Sequence, residues 1–249
     1  MTQDRNSNKV KVDFCLFDLD GTLVNTIKAS EAVWRNLCKE YGVNPEELFK
    51  HSHGSKTGEI LEKFFPALDN TDNKAVRDLE ISMGRDYLDS VFAVPGAKDL
   101  LQQLNIPSPD TTERKWAIVT SGSHYIAFGW FKSILGDIEK PDVFITAFDV
   151  KTGKPDPEGY AKARDQLAEK TCLKTATDQI KTIVFEDAPV GILAGKAMGA
   201  LTIGITTTFP KDVLFNAGAD FVVEDLTHVK MLKNDQNGIV LEINDSLSR

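Results

Sequence analysis

The chain has 249 residues, 41% hydrophobic and 27% charged, with 37 acidic against 29 basic side chains and a net charge of −8. That is enough for one large domain or two small ones, in a composition ordinary for a soluble globular protein. No Lys/Arg-rich run offers a footprint for nucleic acid and no apolar run approaches a membrane span, so neither partner is expected.

The opening "MTQDRNSNKVKVD" lacks the apolar core of a secretory signal, and about ten residues there are expected to be disordered. The first strand is predicted at 13–17, "DFCLF", and runs into "DLDGT" with Asp18 and Asp20. Residues 29–93 then read as helical, in "ASEAVWRNLCKEYG", "SKTGEILEKFF" and "DNKAVRDLEISMGRDYLDSV", with no strand among them. This interval is expected to be a helical domain, 28–93, inserted into a core of 1–27 and 94–249, with hinges at 25–30 and 92–96. The core resumes at "VPGAKDLL", where Pro95 and Gly96 start a helix. Further strands are predicted at 116–120, 143–147, 182–186, 201–205 and 220–223. Helices open at Asp156–Pro157 and at Pro189, the latter closing at Gly199. An edge strand is expected at 238–243. The strands are continuously apolar rather than alternating, which suits burial on both faces. The fold class is therefore α/β, a Rossmann-like parallel sheet with helices on both faces and an inserted helical cap. Cys15, Cys38 and Cys172 are too widely spaced for a metal pattern and read as reduced thiols of a cytoplasmic protein. Nothing points to an obligate interface, so a monomer is expected.

Ligands of an open parallel sheet bind beyond the carboxyl ends of its strands. Those ends carry Asp18 and Asp20, then "TSGS" (120–123), then "DVKTGKPDP" with Lys154, then Glu186 and Asp187. Each has an ordinary explanation as a turn, a cap or a solvated charge. Chance would have to put all of them on one edge. Crowded carboxylates raise one another's pKa unless a cation joins them, and Mg²⁺ prefers carboxylate oxygens, waters and a substrate phosphate. Asp18, Asp187 and Glu186 can supply ligands, with the Asp20 carbonyl adding another. Lysine, serine and backbone N–H groups complete a phosphate cradle. One aspartate would then attack phosphorus while the other handles a proton.

With "DLDGT" (18–22), "TSG" (120–122), "GKPDP" (153–157) and "FEDA" (185–188) in this order, the chain resembles the haloacid dehalogenase-like superfamily, in its phosphatase branch. The resemblance covers about 13–225. It implies that Asp18 is a nucleophile forming an aspartyl-phosphate and that Asp20 is the general acid and base. Ser121 and Gly122 would bind phosphate, with Thr120 left as the alternative hydroxyl. Lys154 would neutralise the phosphoryl group and orient Asp18, Asp187 and Glu186 would hold Mg²⁺, and Thr22 would orient Asp18 and Asp20. The substrate implied is a small phosphorylated metabolite, a sugar or polyol phosphate, with hexose phosphates ahead of glycerol phosphate and a phosphomutase as the rival. The cap would carry specificity, and in "HSHGSKTGE" His53 and Lys56 are the candidates for substrate contact. His124 is close enough to "TSGS" to touch substrate, whereas Trp34, Phe64, Phe65 and Trp130 read as core.

Overall fold

A computed structural model describes residues 7–106 and 113–249. The continuously apolar "FCLF" forms the strand at the centre of the fold. Strand β1 spans Ser7–Val12, and β2, Phe14–Phe17, follows with all four residues buried. After the two-residue β3, Val24–Asn25, come four helices: α1 (Ile27–Tyr41), α2 (Pro45–Ser52), α3 (Thr57–Phe64) and α4 (Lys74–Asp86). The chain returns through β4, Phe92–Ala93, to α5 (Ala97–Asn105) and β5 (Trp116–Val119). Then follow α6 (His124–Ile134), β6 (Phe144–Ile145), α7 (Glu158–Lys170), β7 (Thr182–Glu186), α8 (Pro189–Ala197) and β8 (Leu201–Ile205). The remainder is α9 (Lys211–Asn216), β9 (Phe221–Val223), β10 (Val229–Asp235) and β11 (Gly238–Asn244).

Six of these strands form one parallel sheet in the order β6-β5-β2-β7-β8-β9. The chain builds outward from β2 on one side and then on the other, so the strand order reverses beside the carboxyl end of β2. This is where doubly wound sheets open a ligand crevice. Alternate residues of each strand point to opposite faces. Cys15, Phe17, Ile118 and Phe185 pack toward α5 and α6 with Leu100 and Trp130. Phe14, Leu16, Val119 and Val184 pack toward α7 and α8 with Tyr160, Leu167 and Ala194. Each fully buried Phe or Leu of these layers contributes roughly 1.5–3 kcal/mol of hydrophobic free energy.

The helical segment has an apolar cluster of its own, with Trp34, Leu48, Ile60, Leu61, Phe65 and Val76 from all four helices. Where the chain enters and leaves this segment, β3 and β4 pair antiparallel, Val24 opposite Ala93. Two-residue strands have no periodicity, so the sequence gives no strand there. The predicted edge strand lies instead in the middle of a three-stranded antiparallel sheet, β1-β11-β10. Its Ile239, Leu241 and Ile243 are fully buried against the first layer. β1 pairs with it although about the first ten residues were expected to be disordered, and of those only 1–6 lie outside the described residues. Cys15 and Cys38 are buried, Cys172 is exposed, and all three are free thiols.

Candidate active site

The parallel ladder sets Phe17 opposite Ile118 of β5 and Phe185 of β7. Asp18 therefore leaves the sheet beside Glu186, and its amide donates to the Phe185 carbonyl at 3.0 Å. Between them reaches Lys154, from the loop before α7. Its Nζ donates to Asp18 Oδ1 at 2.5 Å and to Glu186 Oε1 at 2.6 Å, and all three side chains are buried. Burial alone would lower the lysine's affinity for its proton, but the two carboxylates more than reverse this and hold its pKa above the ordinary value. Glu186 also accepts from the Tyr160 hydroxyl at 2.8 Å and from the Ala188 amide at 3.1 Å. It lies so close to α8 that a Cβ on Gly191 would fall 1.7 Å from Oε1.

Asp187 accepts from the Thr22 hydroxyl at 3.3 Å and from the Thr208 hydroxyl. Gly21 has φ +91°, a conformation that favours glycine, and a Cβ there would fall 2.0 Å from Asp187 Oδ2. The Thr22 hydroxyl thus orients Asp187, where the family resemblance implied Asp18 and Asp20. Burial pushes Asp187 up to about 7, with Glu186 adding to the shift and Thr208 opposing it. Asp18 is likewise raised, first by burial; Lys154 pulls it back and the neighbouring acids push it further.

Half-buried Asp20 accepts from the Thr120 hydroxyl at 3.0 Å, and the same hydroxyl accepts from the Gly122 amide at 3.0 Å. Burial raises its pKa against the pull of the Thr120 and Thr26 hydroxyls. Asp18, Asp20, Asp187, Thr120, Ser121 and Gly122 line one cavity of about 80 Å³. Its opposite wall is helical: Thr26, Ser30 and Trp34 from the start of the segment, Ser52 and His53 at the end of α2, Thr57, and Glu80 and Met83 of α4. The Ser121 hydroxyl crosses to that wall and donates to the Gly54 carbonyl at 2.7 Å.

His53 lines the cavity. Lys56 does not: its Nζ donates to the Val150 and Lys151 carbonyls at 2.9 and 3.0 Å, in a groove of about 810 Å³ that shares Thr57 and Glu80 with the cavity. His124 is exposed and packs among Tyr125, Phe128 and Phe148 instead of facing the cavity. Trp34, Phe65 and Trp130 are buried, with Trp34 and Trp130 also forming cavity wall. Sequence reasoning missed Thr208, Tyr160 and Glu80. Thr208 stands just beyond β8, where reading that strand end like the others would have found it. Glu80 shares the buried face of α4 with Val76 and Met83, an acid on an apolar stripe at helical spacing. Tyr160 gives no signal apart from its place after "GKPDP".

Asp18, Glu186 and Asp187 each offer an oxygen within 4.8 Å of the others. Asp18 Oδ2 is buried without a hydrogen-bond partner. An all-oxygen donor set, an orphaned buried carboxylate oxygen and two upshifted acids fit a hard divalent cation, which would satisfy all three at once. Fold and site together define a class. The profile of the Haloacid dehalogenase-like hydrolase family matches residues 15–205, and the chain belongs to that family. Over 241 residues, 96% of this chain and 98% of the relative, it is 58% identical to 2-deoxyglucose-6-phosphate phosphatase 2 of Saccharomyces cerevisiae. It is 38% identical over 223 residues to Glycerol-1-phosphate phosphohydrolase 2 of the same yeast, covering 89% and 86% of the two chains. A HAD hydrolase of family IA, variant 3, from Entamoeba histolytica shares the fold at a TM-score of 0.68 and 23% identity, over 87% of this chain and 94% of that one. Among the described residues no helix is long and apolar enough to cross a membrane.

Proposed function

We propose that the chain is a Mg²⁺-dependent phosphatase of small sugar phosphates, hexose phosphates of the 2-deoxyglucose 6-phosphate type first, acting through an aspartyl-phosphate on Asp18. The observation that carries this is the Asp18 carboxylate, held by Lys154 at one oxygen and without a hydrogen-bond partner at the other, on the same cavity wall as Asp20. The 58% identical relative, named as a 2-deoxyglucose-6-phosphate phosphatase, supports the substrate class. The 38% identical relative supports glycerol phosphate as a second substrate.

The Asp18 carboxylate attacks phosphorus and the bond to the sugar oxygen breaks. Asp20, whose burial favours its protonated form, gives that oxygen its proton. Asp20 then takes a proton from the water that attacks the phosphorus and releases Asp18. Ser121 and Gly122 hold phosphoryl oxygens, for which the Ser121 hydroxyl turns from Gly54. Mg²⁺ held by Asp18, Asp187 and Glu186, with the Asp20 carbonyl, offsets phosphoryl charge when bound. Segment 28–93 acts as a cap over the core of 1–27 and 94–249, excluding water until the sugar departs. The test is phosphate release across a panel of sugar, polyol and glycerol phosphates with and without Mg²⁺. Hexose phosphates should lead and chelation should abolish release. Release that is indifferent to chelation, or confined to non-sugar esters, would overturn the assignment.

A further inference from the structure

The helical wall carries a buried carboxylate that this mechanism leaves without a role. Glu80 is 1% exposed. Its Oε1 accepts from the Thr57 hydroxyl at 2.7 Å and the Ser123 amide at 3.2 Å, and its Oε2 accepts from the Ser123 hydroxyl. The amide can only donate, both hydroxyls are placed to donate, and α6 begins at the next residue with its positive end toward the carboxylate. Burial raises the Glu80 pKa and the nearby Asp20 adds to it, while the Ser123 and Thr57 donors, which can pair only with the carboxylate's lone pairs, pull it back. Asp18, Asp20 and Asp187 line the same cavity, and among the described residues lining it there is no lysine or arginine. Lys154 lies bonded to Asp18 and Glu186, and Lys56 is tied to two carbonyls. Burial draws His53 toward its neutral form, with Glu31 opposing. What remains of the helical wall is hydroxyl-bearing or apolar, as in Thr26, Ser30, Ser52 and Met83.

We infer that Glu80 is a specificity-determining residue that admits phosphate esters of neutral polyols and rejects esters whose leaving group carries a second anion. The inference rests on the phosphatase reading above. A carboxylate offers about four acceptor directions; three donors take three, and the remaining one suits a substrate hydroxyl. A second phosphate or a carboxylate placed there would meet the Glu80 carboxylate, with no lysine or arginine among the described residues lining the cavity to pair with it, an arrangement that excludes a ligand more sharply than missing contacts do. The same wall stands against the phosphomutase rival, whose sugar must carry a phosphate while it receives another.

The experiment compares kcat/KM for hexitol 6-phosphate and for the aldonate 6-phosphate of equal length, which differ by a terminal carboxylate. Wild-type enzyme should prefer the hexitol ester by about a hundredfold or more. Glu80→Gln, which keeps the shape and removes the charge, should narrow that ratio at least tenfold, chiefly through a lower KM for the aldonate. Ser30→Lys puts a cation on the same wall, leaves Glu80 and its bonds in place, and should narrow the ratio too. It carries the test if Glu80→Gln does not fold. A wild-type ratio within threefold overturns the inference, as does a folded Glu80→Gln enzyme that cleaves both esters at the wild-type ratio. Failure to hydrolyse either ester or p-nitrophenyl phosphate would instead defeat the phosphatase reading itself.

Discussion

The sheet edge and the helical wall face each other across one small cavity, yet they are held in place by different physics. On the edge, most functional side chains lie within about three residues of a strand end, so backbone pairing positions them, and Lys154 joins them from the loop before α7. Asp18 and Glu186 are neighbours because β2 and β7 pair in register. On the wall, Ser30, His53 and Glu80 come from α1, the end of α2 and α4, and side-chain contacts relate them, through packing in the segment's own cluster and the Glu80 bonds to Thr57 and Ser123. A site that performs one reaction on varied substrates is served by this division. The edge keeps phosphoryl geometry fixed, while the wall can change by substitution without disturbing the sheet.

The sharpest way to break the comparison is to remove one group from the edge and ask whether the fold notices. Asp18→Asn should lower kcat for any substrate by on the order of 10³ or more, as loss of a nucleophile does. Far-ultraviolet circular dichroism should stay unchanged, since an amide fills the same space. Activity within tenfold of wild type would remove Asp18 from the chemistry. Lys154→Met should damage both activity and stability, because it strands Asp18 and Glu186 in a buried site. Loss of one partner of a buried ion pair costs about 3–5 kcal/mol, so the thermal midpoint should fall by roughly 10 °C. A midpoint unmoved by the change would mean that this pair is dispensable to the edge.

The acids of the edge should also make stability depend on pH in a direction set by their shifts. Asp18 and Asp187 bind protons more tightly folded than unfolded, where the value is 3.8. Below about pH 4 both states are protonated. As pH rises from there through about 7, where Asp187 titrates, the folded state holds more protons, so metal-free stability falls. Mg²⁺ selects the deprotonated form. Its stabilising effect should therefore grow between pH 5 and pH 8, read as the difference in thermal midpoint with Mg²⁺ and with chelator. A difference that shrinks over that range would reverse the assignment of these acids as ligands.

Legibility followed the same division. That Asp18, Asp20, Lys154, Glu186 and Asp187 meet at one sheet edge was readable because strand ends and short motifs carry their placement locally. The six strands of the parallel sheet were readable as continuous apolar runs. Thr22 was assigned to the wrong acid because its partner lies 165 residues away across the β2–β7 edge, a pairing that no local pattern records. β3 and β4 were too short to show a period. β11 was readable as a strand at 238–243, but its central place in the second sheet depends on β1, which comes from the other end of the chain. Glu80 left a trace, an acid on the apolar face of α4, but which cavity that face would border depended on how α4 packs on α6.

Lys56 gives the smallest effect and the finest test of the wall. A charged residue near a glycine in the cap reads as a substrate contact, yet the structure uses its ammonium to tie the N-terminus of α3 to the Val150 and Lys151 carbonyls of the core. Lys56→Ala removes two charge-assisted bonds from a partly exposed site, so stability should fall by about 1–2 kcal/mol. The thermal midpoint would then drop by a few degrees. A contact to phosphate or sugar would show differently, as a loss of kcat/KM on sugar phosphates without loss of stability. A change in kcat/KM below tenfold, equivalent to less than about 1.4 kcal/mol of transition-state stabilisation, alongside a lowered midpoint, would keep Lys56 as a tie between the helical segment and the core. A hundredfold loss of kcat/KM at an unchanged midpoint would return it to the cavity and show that the wall moves when substrate binds.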